Sequence, residues 1–232
     1  FAYVLNDVVD LPVDRTHPAR QADPLVRGAI RPGTALTIAL LQIPLGFAVL
    51  WAAEAASFAH LALGAGFALM AVYDVWGKRC PVPPVTDLAQ GLGWGTLAYV
   101  GAGILAPEPG LLTHVLFAYG AGHIFLINGI HGGIRDLEND HRQGRITTAA
   151  FLGAEPEVSG VRSTGSGMVV FSLAIQAGLA ALLVWPVWID AYGFPHGLYG
   201  AALGLALVLA CLLVFLAYRV ARPELPGWGA SM

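Results

Sequence analysis

The sequence predicts an all-α integral membrane protein built as a multi-span helical bundle. Composition is the first reason: 56% of the 232 residues are hydrophobic and only 12% are charged, about half the charged share of an ordinary soluble domain. The mean hydropathy of +0.67 is the second. Third, the apolar residues gather into uncharged runs close to the ~20 residues that cross a bilayer as a helix.

Taken in order, residues 1–5 (Phe-Ala-Tyr-Val-Leu) read as the end of a helix. No initiator Met and no signal-peptide pattern precedes them, so the chain is expected to begin inside a helix, with at least one span upstream. Complete spans follow at 34–53, 58–76, 88–106, 111–132, 168–189 and 197–218. That makes six, plus the end of another, in one domain over residues 1–232. Two connectors are long, 6–33 and 133–167, and long loops in a compact fold tend to be functional. A third connector, 77–87, holds Pro81, Pro83 and Pro84, which cannot continue a helix. Gly91/Gly95, Gly129/Gly133 and Gly200/Gly204 stand four apart, a spacing that lets helix backbones approach closely in lipid. Trp51, Trp185 and Trp188 fall near span ends, where indoles favour the membrane interface.

Charge orients the bundle. Following the spans in alternation, all twelve Lys and Arg residues fall on one side, whereas the opposite connectors carry Glu54, Glu108 and Asp190 and no basic residue. By the positive-inside rule the basic side is cytoplasmic, which in a bacterium means the cytoplasmic face of the inner membrane. With a net charge of −3 and no basic face left over, no nucleic-acid partner is expected. Cys80 and Cys211 lack the spacing of a disulfide or zinc pair.

The basic side is also where the acids lie. Asn6, Asp7, Asp10 and Asp14 form one cluster, and Asp136 and Asp140 form another. On a helix, residues four and eight apart are rotated by only ~40° and ~80°. Asn6, Asp10 and Asp14 therefore share a face with Asp7 beside them, and Asp136 shares one with Asp140. Pro12 is expected to interrupt the first helix and place Asp14 past a kink. Carboxylates beside a membrane are costly unless water, a counter-charge or a metal holds them. Mg²⁺ takes oxygen ligands and prefers one or two carboxylates plus phosphate oxygens, so two facing clusters suit a bound diphosphate, with basic residues on its free oxygens. The simpler alternative is a set of solvated acids paired with Arg15, Arg135 and Arg142.

Three elements together resemble the UbiA superfamily of intramembrane prenyltransferases. Asn6-Asp7-x-x-Asp10-x-x-x-Asp14, with Arg15 and the stretch Pro24 to Gly28, is similar to the first signature. Tyr73-Asp74-Val75-Trp76-Gly77-Lys78-Arg79 is similar to a Tyr…Lys-Arg element. Gly133-Ile134-Arg135-Asp136 through Asp140, then Gly144-Arg145-x-Thr147 and Leu152-Gly153, resembles the second aspartate signature. The likeness departs at Pro12 and Asp74, and in lacking prolines after Tyr73.

The resemblance implies eight or nine spans around a central cavity capped on the cytoplasmic side. It implies Mg²⁺-dependent transfer of a prenyl group from an isoprenyl diphosphate to a hydrophobic or aromatic acceptor within the lipid. Carried over by position, Asn6, Asp10 and Asp14 serve one Mg²⁺, Asp7 ligates or supports them, and Asp136 and Asp140 serve a second. Lys78, Arg79, Arg20 and Arg145 neutralise the leaving diphosphate, and Tyr73 orients it or shields the cation. Asn128, eight residues before Asp136, is a candidate contact to the acceptor. His123 and His131 are weaker candidates for a base, Gln42, Gln90 and Gln176 are expected to be packing, and Asp87 is expected near the cap. A terpene cyclase of the same fold, a cation-coupled transporter and a non-catalytic membrane subunit remain as alternatives.

Overall fold

A computed structural model of the chain describes residues 1–17, 20–77, 80–158, 161–163 and 165–189, together with 197, 200, 202, 204–206, 208, 209 and 212; for 157, 158 and 161–163 it describes the backbone alone. The fold is a helical bundle. α1 runs Ala2–Asp14, α2 Pro32–Ala52, α3 Ser57–Trp76, α4 Pro83–Gly95, α5 Leu97–Leu105 and α6 Leu111–Phe125. A π-helical stretch, Leu126–Gly132, carries α6 on into α7, Gly133–Arg135, and α8, Leu137–Arg142. One turn of helix, α9 (Thr148–Phe151), and a short antiparallel ribbon of β1 (Glu155–Val158) and β2 (Val161–Ser163) lead to α10, Ser166–Trp188.

Four described helices are long and apolar enough to cross a bilayer: Pro32–Ala52, Ser57–Trp76, Leu111–Arg135 and Ser166–Trp188. Two expectations change here. The third expected span, 88–106, is divided at Thr96 into α4 and α5. The Thr96 hydroxyl donates to the Gly93 carbonyl at 2.7 Å, a back-bond of the kind that bends helices. The sixth expected span, 197–218, lies mostly outside the described residues. Prolines open helices where the sequence placed connectors: Pro32 starts α2 and Pro83 starts α4, positions at which the missing N–H costs nothing.

Pro12 is another correction. It lies inside α1 and does not end it; the helix continues through Asp14, and the Arg15 N–H bonds back to the Leu11 carbonyl. One ladder bond is lost at the proline, yet the face bearing the acids stays continuous.

α4 packs on α6 through small residues. A Cβ on Gly91 would collide with the Ala121 carbonyl oxygen, and one on Gly95 would stand 2.8 Å from that of Phe117; both backbones need the missing side chain. Leu126, Ile130, Leu137, Ala149, Ala154 and Met168 form a buried cluster that fastens the 133–167 connector to the bundle. Outward faces are apolar, with Leu45 62% and Leu61 75% exposed, a surface suited to lipid and costly in water. Trp51 and Trp188, at helix ends, are exposed as well.

Candidate active site

α1 along its length, the C-terminal turn of α3, α4 from Pro83 to Trp94, and the π stretch with α7 and α8 come together around one site. They enclose a cavity of about 680 Å³. The described metal, diphosphate and acceptor candidates line it: Asn6, Asp7, Asp10 and Asp14 from α1, Arg20 from the following connector, Tyr73 from α3, Asn128 from the π stretch, and Asp136, Asp140 and Arg145 beyond it. Lys78 and Arg79 lie outside the described residues.

Arginines organise the acids. Arg145 Nη1 lies 3.6 Å from Asp10 Oδ1 and 3.9 Å from Asp140 Oδ1, so the two clusters meet across one guanidinium. Those two oxygens are no farther apart than the sum of these distances. Asp10 is buried, at 3% exposure. Arg145 is held by its backbone too, its N–H donating to the Asp140 carbonyl at 2.9 Å. Among the described residues, Arg145 Nη1 is buried and has no hydrogen-bond partner; from it, the Asp10 and Asp140 oxygens lie beyond hydrogen-bonding range. Arg145 itself lines the cavity, and a guanidinium there can donate charge-assisted hydrogen bonds to a ligand oxygen.

Arg20 gathers the outer acids. Its Nη2 donates to Asp7 Oδ1 at 2.8 Å and Asp14 Oδ2 at 3.0 Å, and Nη1 lies 3.1 Å from Asp23 Oδ2. The bond to Asp14, ahead of that to Asp7, pushes the Arg20 guanidinium above its ordinary pKa, so it stays charged at every physiological pH. Arg135 forks onto its neighbour Asp136, Nε to Oδ1 at 2.9 Å and Nη2 to Oδ2 at 2.8 Å. The alternative pairing expected for the acids, with Arg15, Arg135 and Arg142, thus holds for Arg135, whereas Arg15 and Arg142 are exposed and Arg20 and Arg145 stand against the other acids.

Local backbone explains the second cluster. Asp136 stands at the junction where α7 ends and α8 begins, and the Asp140 N–H still bonds to its carbonyl at 2.9 Å. The turn is kept, and both side chains reach the cavity. Upstream, the π stretch widens the helix at Asn128, a feature frequent at functional sites.

The sequence reading gives Gln90, Asp74 and His17 no place at the cavity and expects Asp87 near the cap. Gln90, expected to be packing, faces the cavity together with Asp87, three residues earlier on α4; that helical spacing was a signal for the pair. Asp74, only 5% exposed, and His17 also line it. His123 instead stacks on Tyr119, with ring centroids 5.6 Å apart, and neither it nor His131 is among the described lining residues.

The donors around the cavity are carboxylates and amides, the chemistry of a hard cation. Among the described residues no three His, Cys, Asp or Glu side chains form a ready-made metal cage. An ion that completes its shell with water and phosphate oxygens does not need one.

A membrane-embedded helical bundle with an acidic, arginine-laced cavity defines the class. The chain belongs to the UbiA prenyltransferase family, whose model matches residues 1–227. It is similar in fold to the apo structure of a UbiA homolog from Aeropyrum pernix K1, with a TM-score of 0.71 and 23% identity over 95% of this chain and 76% of that one. No curated protein matches the sequence. Family membership supports intramembrane prenyl transfer as the general activity.

Proposed function

We propose that the protein is a Mg²⁺-dependent prenyltransferase that moves an isoprenyl group from its diphosphate to a hydrophobic or aromatic acceptor inside the membrane. The observation that carries this reading is the meeting of Asp10 and Asp140 at Arg145 on the wall of one cavity.

Asp10 and Asp14, with Asn6 and Asp7, would hold one Mg²⁺, and Asp136 with Asp140 a second. Bound there, the ions supply positive charge to the diphosphate. The chain's own groups do the rest. Arg145, on the cavity wall beside Asp10 and Asp140, would donate to a diphosphate oxygen as charge builds on it. Preorganised donors of this sort stabilise the transition state more than the ground state. The C–O bond then breaks with its electron pair leaving on the diphosphate. An electron pair of the acceptor forms the new bond to the allylic carbon, and the acceptor releases a proton. Tyr73, half-buried on the cavity wall, presents an aromatic ring that shields the cationic carbon from water. Arg20, tied to Asp7 and Asp14, keeps the first cluster in shape and balances its charge. Lys78 and Arg79 are assigned to the leaving diphosphate by sequence position.

Purified protein assayed with labelled prenyl diphosphate, Mg²⁺ and a panel of acceptors tests the proposal. Alkylated product with stoichiometric diphosphate release is expected, and Asp10→Ala and Asp136→Ala should each abolish it. If neither substitution alters turnover, or no acceptor supports release, the reading is wrong. Release without acceptor, yielding a cyclised hydrocarbon, would redirect it to a terpene cyclase.

A further inference from the structure

We propose that Asp87 and Thr148 are a positioning pair that sets Arg145 in place, an inference that rests on the diphosphate-binding role assigned to Arg145. Arg145 sits in a short irregular segment between α8 and α9. An arginine on a loop has many orientations available, and something must select the one that stands between Asp10 and Asp140.

The selecting contact lies three residues on. The Thr148 hydroxyl donates to Asp87 Oδ2 at 2.5 Å. Thr148 is fully buried and Asp87 is 8% exposed, so this hydrogen bond to a carboxylate is sheltered from water and correspondingly strong. It joins α9 to α4 across 61 residues of sequence.

Two glycines make room for it. A Cβ on Gly129 would stand 2.9 Å from Asp87 Oδ2, and one on Gly133 would stand 3.1 Å from the Ala149 Cβ. The four-residue glycine spacing thus leaves room for Asp87 at Gly129 and for the residues flanking Thr148 at Gly133. The segment is pinned on each flank: the Thr147 Oγ1 accepts from the Ala150 N–H at 3.2 Å, and Ala149 lies in the buried cluster under the connector. Arg145 then hangs between the Asp140 carbonyl on one side and this anchor on the other.

The pair acts through Arg145, so its loss should weaken the handling of the diphosphate and spare the acceptor. Thr148→Val keeps the shape and removes the donor; Thr148→Ser keeps the donor. In the purified protein, Thr148→Val is expected to raise KM for the prenyl diphosphate about tenfold, the worth of one hydrogen bond to a charged group, while acceptor KM stays the same. Thr148→Ser should restore it. Added to Arg145→Ala, Thr148→Val should change nothing further, since the two act as one unit. Hydrogen exchange of the 143–149 backbone gives a readout free of turnover: Thr148→Val should speed it and Thr148→Ser should not. Unchanged exchange, an equal rise in both KM values, failed rescue by serine, or full additivity with Arg145→Ala would each overturn the pair. A wild-type protein that turns over no substrate would end the prenyltransferase reading, and exchange would still decide whether Thr148 holds the segment.

Discussion

Arg145 concentrates the chemistry of the site in one side chain. Its guanidinium faces Asp10 from α1 and Asp140 from α8 without hydrogen-bonding either through Nη1. Lysine keeps the charge but loses the planar fork. Arg145→Lys should therefore lower kcat/KM for the prenyl diphosphate about tenfold, with the melting temperature unchanged, the worth of one charge-assisted hydrogen bond; steady-state kinetics and thermal denaturation check it. The acids themselves were legible in the sequence, because carboxylates at helical spacing beside apolar segments need an explanation that Asp7 or Asp10 alone would not. Their counter-charges were not legible. Which arginine meets which acid depends on contacts between distant segments, so Arg20 and Arg145 stand against acids for which Arg15 and Arg142 were the nearer candidates. Gln90 escaped for a related reason: a polar residue in an apolar run does not by itself reveal which way its helix face is turned.

Among the elements, α1 and the α4–α6 pair carry most of the geometry. α1 keeps its acidic face through Pro12 because neighbouring turns are held by their own ladder bonds. The α4–α6 contact depends on glycine. Gly91→Val would drive a branched side chain into the Ala121 carbonyl and should destabilise the protein by about 1–3 kcal/mol, as overpacking does. Melting in detergent measures it, and a variant as stable as wild type would mean that the helices are not so closely packed. Span positions followed directly from apolar runs, since lipid demands length and hydrophobicity whatever the tertiary contacts. The break at Thr96 and the π stretch at Leu126–Gly132 did not, because each is decided by packing and hydrogen bonding that no local pattern encodes.

At the scale of the whole molecule, the cavity opens among the helix ends that the basic connectors join. If charge sets orientation, that end faces the cytoplasm. In a Cys80→Ser/Cys211→Ser background, Gln21→Cys should react with an impermeant maleimide from the cytoplasmic side only, and Glu54→Cys from the opposite side only; the reverse pattern would invert the proposed topology.

The central claim is that both acidic clusters act on one diphosphate. Calorimetric titration with a non-reactive prenyl thiodiphosphate, with and without Mg²⁺, tests it most directly on wild type, Asp10→Ala and Asp140→Ala. The account predicts Mg²⁺-dependent binding by wild type, lost on either substitution although the two residues come from distant segments of the chain. Binding that persists undiminished when either aspartate is removed would contradict it.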